Sequence, residues 1–274
     1  MSAKRSEKTG ADLPTVEAAI DRMLAEFPFG DYVAAGKSAR GTYRNIAGTA
    51  LRHLAPGARI LDAGCGPCDK TAVLQHLGFR CAAYDDLQDA WHGDPGAREQ
   101  ILAWTERCGI DFRVADAGSP PFAAGSFDMI MLHDVLEHLH DSPRSLLTDL
   151  LALARPGGLL FVTVPNAANI RKRIALLRGG TNLPPFADYY WYPGPWRGHV
   201  REYVRADLLQ LAAYLDLEIL ELRSCDHMLR RVPRAARSAY LLLSSVFRGW
   251  KDTWLLVAKK RPDWKPPTAD PRLD

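Results

Sequence analysis

Short apolar runs at residues 59–62, 80–84, 112–115, 127–132 and 159–164 alternate with longer stretches whose apolar positions recur at helical period. Runs of that length suit strands buried on both faces, and the segments between them are long enough for crossover helices. The five runs therefore predict parallel strands in βαβ units. Two later runs, 217–222 and 253–258, follow a helical stretch at 205–215 and predict a pair of strands added at one edge. Upstream, 16–26 and 37–54 read as amphipathic helices, punctuated by Gly30 and Gly36 and placed to cap the sheet or a ligand. The expected fold class is α/β: a doubly wound, mostly parallel seven-stranded sheet with an N-terminal helical cap.

Residues 166–203 are too long and too aromatic for a simple connection. Gly179, Gly180, Pro184, Pro185, Pro193 and Pro195 break this stretch, and Phe186, Tyr189, Tyr190, Trp191, Tyr192 and Trp196 crowd it. Two readings stay open, a lid that covers substrate and an aromatic plug on the core; the lid sets the expected layout. That layout is a polar tail and helical cap over 1–54, a main domain over 55–260 and a disordered proline-rich tail over 261–274. The main domain carries the aromatic insertion 166–203 and a basic helical insertion 226–250.

With 274 residues the chain can bury about 75% of its unfolded surface without staples. Five cysteines, an odd number spread along the chain, point to reduced thiols and a cytoplasmic location rather than a secreted disulfide framework. The first residues lack the apolar core of a signal peptide, and no apolar run reaches the roughly 18 residues of a membrane span. A net charge of +3 is too mild to mark a nucleic-acid footprint, so a polyanion partner would need a local basic cluster.

The strongest local signal is Arg59-Ile-Leu-Asp-Ala-Gly-Cys-Gly-Pro-Cys-Asp-Lys-Thr71, where an apolar strand ends in Asp62 and turns through Gly64, Cys65 and Gly66 into a helix. Small residues there let a ligand approach the backbone, and the helix start presents unpaired N–H groups. A dinucleotide site would want a third glycine three residues after Gly66; position 69 is aspartate, which repels a pyrophosphate. With Asp62 alongside, the turn suits a nucleoside that carries positive charge.

From residue 58 to about 164 these motifs resemble, in order, those of the class I S-adenosylmethionine-dependent methyltransferases, of the type 11/23-like kind. The resemblance implies a Rossmann-like fold, S-adenosylmethionine as cofactor and methyl transfer as activity. Asp62, Gly64 and Gly66 match the first motif, and Cys68 stands where a third alternate glycine is usual. Asp85 matches the ribose contact, since a carboxylate can accept from both hydroxyls of a diol, with Asp86 the nearby alternative. Asp116 and Ala117 match the adenine contact, and Arg155-Pro-Gly-Gly158 precedes the fifth strand as in the family. His133, at the tip of the fourth strand, adjoins the same cofactor site.

Methyl transfer from a sulfonium has a good leaving group, so the protein mainly positions the acceptor and manages its proton. After the fourth strand comes His133-Asp-Val-Leu-Glu-His-Leu-His140, in which Asp134, Glu137 and His138 are spaced i, i+3, i+4 and would share a face on one helical turn. Such a set suits a divalent cation (Mg, Mn, Co or Zn) that lowers the pKa of an acceptor hydroxyl; the competing reading is structural capping or pairing. The turn and the downstream His199 are similar to those of small-RNA 2'-O-methyltransferases and ubiquinone-pathway O-methyltransferases. That resemblance implies a metal held by Asp134, Glu137, His138 and His199, with Asp134 shorter than the usual Glu. Without a metal, His133 or His138 is the expected general base.

Arg230, Arg231, Arg234 and Arg237 precede Ala239-Tyr-Leu-Leu-Leu243, a pattern that suits an anionic membrane, a lipid-linked substrate or the solvated face of a core-packed helix. No RNA-binding aromatic signature accompanies it. The expected function is O-methylation of a hydroxyl on a small molecule or glycan. RNA 2'-O-methylation is the alternative within the class; a nicotinamide-dependent oxidoreductase or an inert cofactor-binding module is the alternative outside it.

Overall fold

The computed structural model describes residues 15–30, 32, 40–88, 95–116, 120–227, 232 and 234–266. Within them one seven-stranded sheet runs in the order β3-β2-β1-β4-β5-β7-β6. The strands are β1 (Arg59–Ala63), β2 (Arg80–Asp85), β3 (Asp111–Val114), β4 (Phe127–His133), β5 (Ala154–Pro165), β6 (Leu217–Cys225) and β7 (Thr253–Lys260). The first five pair in parallel, and β7 runs antiparallel to both β5 and β6. This is the α/β, doubly wound, Rossmann-like sheet expected. The chain steps outward from β1 through β2 to β3, then returns to β4 on the other side, so a crevice opens at the carboxyl ends of β1 and β4.

Central strands are apolar on both faces: Met129, Ile130, Met131 and Leu132 of β4 are wholly buried. One face is covered by α1 (Val16–Glu26), α2 (Arg40–His53), α3 (Asp69–His76) and α4 (Ala97–Cys108). The other is covered by α5 (Pro143–Leu153) and α8 (Arg205–Tyr214); α6 (Ile170–Leu177) and α7 (Phe186–Tyr190) lie between β5 and α8, and α9 (Arg237–Val246) between β6 and β7. Thr15 starts α1 by accepting the Ala18 N–H at 3.2 Å, and Ala19, Ile20 and Met23 then face the core. The N-terminal helices pack on the first face of the sheet.

Several boundaries differ from the sequence reading. β5 begins at Ala154 rather than 159, because Ala154 pairs with Phe127 before a register shift restores the Met129–Leu159 pairing. Gly157, at φ +72, makes that bulge possible. β6 continues to Cys225, paired with Thr253. The tail is ordered further than expected: Trp264 donates its indole N–H to the Leu215 carbonyl at 2.6 Å and packs on the core; residues 267–274 lie outside the described ones. α9 buries only Tyr240 and Ser244 and exposes Leu241, Leu242, Leu243 and Val246, so a core-packed helix is not what forms. Arg230 and Arg231 lie outside the described residues. No helix among those described is long and apolar enough to cross a membrane.

Candidate active site

The turn after β1 forms a cradle. Gly64 and Gly66 have φ of +69 and +55, the left-handed region that costs an L-residue energy. A Cβ on Gly64 would lie 2.7 Å from Cγ2 of Val135, so the Val135 side chain of the segment after β4 packs directly on the Gly64 backbone. Cys68 takes φ +61 as the residue before α3, the conformation that explains why glycine is usual there. Its sulfur lies 3.3 Å from Cys65 Sγ; both thiols are buried, and burial pushes both up, which leaves them unreactive.

Asp85 braces the cradle: its Oδ2 accepts the Gly66 N–H and its Oδ1 the Leu87 N–H, both at 2.8 Å. Asp62 lies beneath it, 1% exposed, with Oδ2 accepting from the Thr71 hydroxyl at 2.6 Å and Oδ1 without a partner. Burial pushes its carboxyl up to about 7. Asp69, expected to face the ligand, is instead buried and accepts from the Tyr43 hydroxyl at 2.8 Å, fastening α3 to α2. Asp116 is exposed just past β3; Ala117 lies outside the described residues. The cradle fits S-adenosylmethionine: Gly64 and Gly66 give the turn its positive-φ shape, and the orphaned Asp62 Oδ1 is an acceptor open to a cationic donor.

Beyond β4 the expected helical turn does not form. Asp134 adopts φ +59 and its N–H goes to the Thr163 carbonyl, and a 3-10 turn, Leu136–His138, starts only after it. Asp134 therefore leaves the shared face. Glu137, His138 and His199 come together, each able to offer one ligand atom, with those atoms within 4.8 Å of one another. The Glu137 carboxylate is buried with neither oxygen hydrogen-bonded, and burial, with the Asp134 charge adding to it, holds the group well above the usual carboxylate range. His133 is buried at the strand tip, edge-on to Phe161 and bonded to Thr163 Oγ1 at 3.1 Å; burial keeps it neutral, and its Nε2 has no partner.

What brings His199 over is the segment 196–203, stapled onto this turn. Val200 and Arg201 donate their N–H groups to the Glu137 carbonyl at 2.6 and 3.2 Å. His138 Nδ1 meets the Arg197 carbonyl at 2.7 Å, and His140 Nε2 the Trp196 carbonyl at 2.6 Å. Since a carbonyl only accepts, His138 donates from Nδ1, and Nε2 is the atom it can offer to a metal. His199 Nδ1 pairs with Glu202 Oε1 at 2.9 Å, and Lys172 pairs with the other Glu202 oxygen. Imidazoles anchored through one nitrogen by a carbonyl or carboxylate are the usual support of metal ligands.

Sequence reasoning missed three of these supports. Glu202 orients His199 from within its own segment and is held in turn by Lys172 from α6, and Arg197 spans to Asp86 at 3.2 Å, tying the aromatic segment to the end of β2. The only available signal was that histidine and glutamate recur three apart at 199 and 202. The aromatic residues themselves are not a plug: Phe186, Tyr189, Tyr190 and Trp191 are 58–78% exposed.

Residues 38–222 match the family model of a methyltransferase domain. A ubiquinone biosynthesis O-methyltransferase of Parvibaculum lavamentivorans is 34% identical over 109 residues, 39% of this chain and 40% of that protein. The chain thus spans about two fifths of that relative's length. One of Xanthomonas campestris pv. campestris is 27% identical over 66% of this chain and 70% of the relative. Among solved structures, 1,6-didemethyltoxoflavin-N1-methyltransferase of Burkholderia thailandensis, with bound 1,6-didemethyltoxoflavin and S-adenosylhomocysteine, superposes with a TM-score of 0.52 at 20% identity, covering 92% of this chain and 93% of that one. At that identity the likeness concerns the fold alone. With the family model matching most of the chain and the glycine cradle at the carboxyl end of β1, the chain belongs to the class I S-adenosylmethionine-dependent methyltransferases.

Proposed function

We propose that the protein methylates a hydroxyl oxygen of a small molecule or glycan, with a divalent cation held by Glu137, His138 and His199. The observation that carries this is the Glu137 carboxylate: a buried group with two orphaned oxygens beside two imidazoles has no account as a structural pair. Mg, Mn, Co or Zn would satisfy it, and such an ion supplies a lowered pKa to a hydroxyl it binds. Asp85, Asp62 and the Gly64–Gly66 backbone hold the cofactor, with Asp116, Cys65 and His133 around it. His138 and His199 are held as ligands of that cation by the Arg197 carbonyl and by Glu202. His133, neutral and with Nε2 unpartnered, is placed to take the acceptor proton if no cation is needed.

The exposed rings of Phe186, Tyr190 and Trp191 suit a ring-shaped acceptor, since aromatic faces stack on the apolar faces of sugars. Exposed Leu241, Leu242 and Leu243 beside Arg237 suit a lipid-linked acceptor or peripheral membrane contact. In this layout residues 55–260 are the catalytic unit and 166–203 its lid. Two measurements test the reading. Methyl transfer from labelled S-adenosylmethionine to sugars, quinols and RNA, followed by mass spectrometry, identifies the acceptor. Mn2+ binding followed by electron paramagnetic resonance should be lost in Glu137→Gln, while cofactor affinity holds; binding and turnover unaffected by that change would remove the metal from the mechanism.

A further inference from the structure

On the face opposite α5 and α8, three helices end at one point. Glu26 is the last residue of α1, His76 of α3 and Cys108 of α4. Each can offer one ligand atom, a carboxylate oxygen, an imidazole nitrogen and a thiol sulfur, and these atoms lie within 4.8 Å of one another. The carboxyl end of a helix carries about half a negative charge on its unsatisfied carbonyls, so three such ends favour a cation before any side chain is counted.

The His76 side chain is 5% exposed, and its Nε2 is buried without a hydrogen-bond partner, 3.6 Å from Glu26 Oε2, too far for a hydrogen bond. Burial pushes His76 below its ordinary value, so the ring is neutral, the form that ligates. Burial also pushes the Cys108 thiol up to about 11, with Glu26 adding to it; a bound cation reverses that preference. Glu26 is 43% exposed and opens the site to solvent. Arg22, which holds the other Glu26 oxygen at 2.8 Å, and Arg107 are the opposing charges nearby.

We propose that Glu26, His76 and Cys108 form a second metal site, for a thiophilic divalent cation of the Zn2+ type, that staples the ends of α1, α3 and α4 together. Nitrogen, oxygen and sulfur together select such an ion over Mg2+ or Ca2+. Tetrahedral bonds to zinc need ligand atoms about 3.3–3.8 Å apart; Glu26 and His76 are already 3.6 Å apart, and Cys108, within 4.8 Å of both, needs at most a small side-chain adjustment to join, with water in the fourth position. On binding, the Cys108 S–H bond breaks, the sulfur joins the metal and one proton passes to solvent; no electron moves. The site shares no residue with the cofactor cradle or with the Glu137 group, and it stands whatever the acceptor proves to be.

Co2+ added to the metal-stripped full-length protein tests this, because thiolate ligation gives a charge-transfer absorption in the near ultraviolet that the thiol-free Glu137 group cannot produce. The band should correspond to one bound Co2+ per protein, Zn2+ should abolish it, Cys108→Ser should lack it, and Glu26→Gln should keep it with at least tenfold weaker binding. Cys108→Ser should leave affinity for S-adenosylmethionine unchanged, which shows the variant is folded. Absence of the band in the wild-type protein, or its survival in Cys108→Ser, overturns the proposal.

Discussion

Gly64→Ala separates two demands that the cradle makes on one residue. At φ +69 an L-residue pays about 1–2 kcal/mol for the left-handed backbone. The added Cβ would also lie 2.7 Å from Val135 Cγ2, an overpacking worth about 1–3 kcal/mol, so the substitution should cost about 2–5 kcal/mol. Val135→Ala deletes the clashing atoms and, being a partly buried site, costs about 1 kcal/mol alone. In the double variant the overpacking disappears while the backbone penalty stays, so the pair should couple favourably by about 1–3 kcal/mol. Urea denaturation of the four proteins measures this. Because the Cβ would point at Val135 rather than at the cofactor, calorimetry should show S-adenosylmethionine binding weakened in Gly64→Ala and recovered in the double variant. Effects on stability that add to within about 0.5 kcal/mol, or affinity that Val135→Ala does not restore, would refute this account of the turn.

Three further outcomes are expected. Asp62 has a folded pKa of about 7 against an ordinary 3.8, so its protonated form favours folding below about pH 4 and that advantage is lost as pH rises to 7, about 4 kcal/mol in all. Cofactor-free Asp62→Asn should therefore show a flatter stability profile over that window in chemical denaturation, and an unchanged slope would contradict the burial argument. Asp85→Ala removes the acceptor of the Gly66 and Leu87 N–H groups and should weaken S-adenosylmethionine binding ten- to a hundredfold by calorimetry, about 1.5–3 kcal/mol; full affinity would place the ribose elsewhere. Trp191→Ala should change stability by less than about 0.5 kcal/mol, because the ring is 78% exposed, yet raise KM for the acceptor; unaltered kinetics with a turned-over substrate would end the lid reading.

The sequence by itself determined the sheet and the cradle. Continuous apolar runs such as 129–132 can be satisfied only between two helical layers, and glycines at 64 and 66 follow from a turn that holds both at positive φ, with no room for a Cβ at 64. Both are local demands, written in neighbouring residues. Tertiary structure alone decided which polar groups meet. Asp134, three residues from Glu137, matched the spacing of a helical turn but adopts φ +59 because its N–H is claimed by Thr163 on the adjacent strand. His199, sixty-one residues beyond His138, joins it because the Glu137 carbonyl collects the Val200 and Arg201 amides. Asp69 looked like a ligand-facing charge until Tyr43 buried it. The ends of α1, α3 and α4 converge only once all three helices pack on one face of the sheet. Hydrophobic period specifies which face of an element is buried, but a hydrogen bond across elements depends on distances that exist only after the layers have closed.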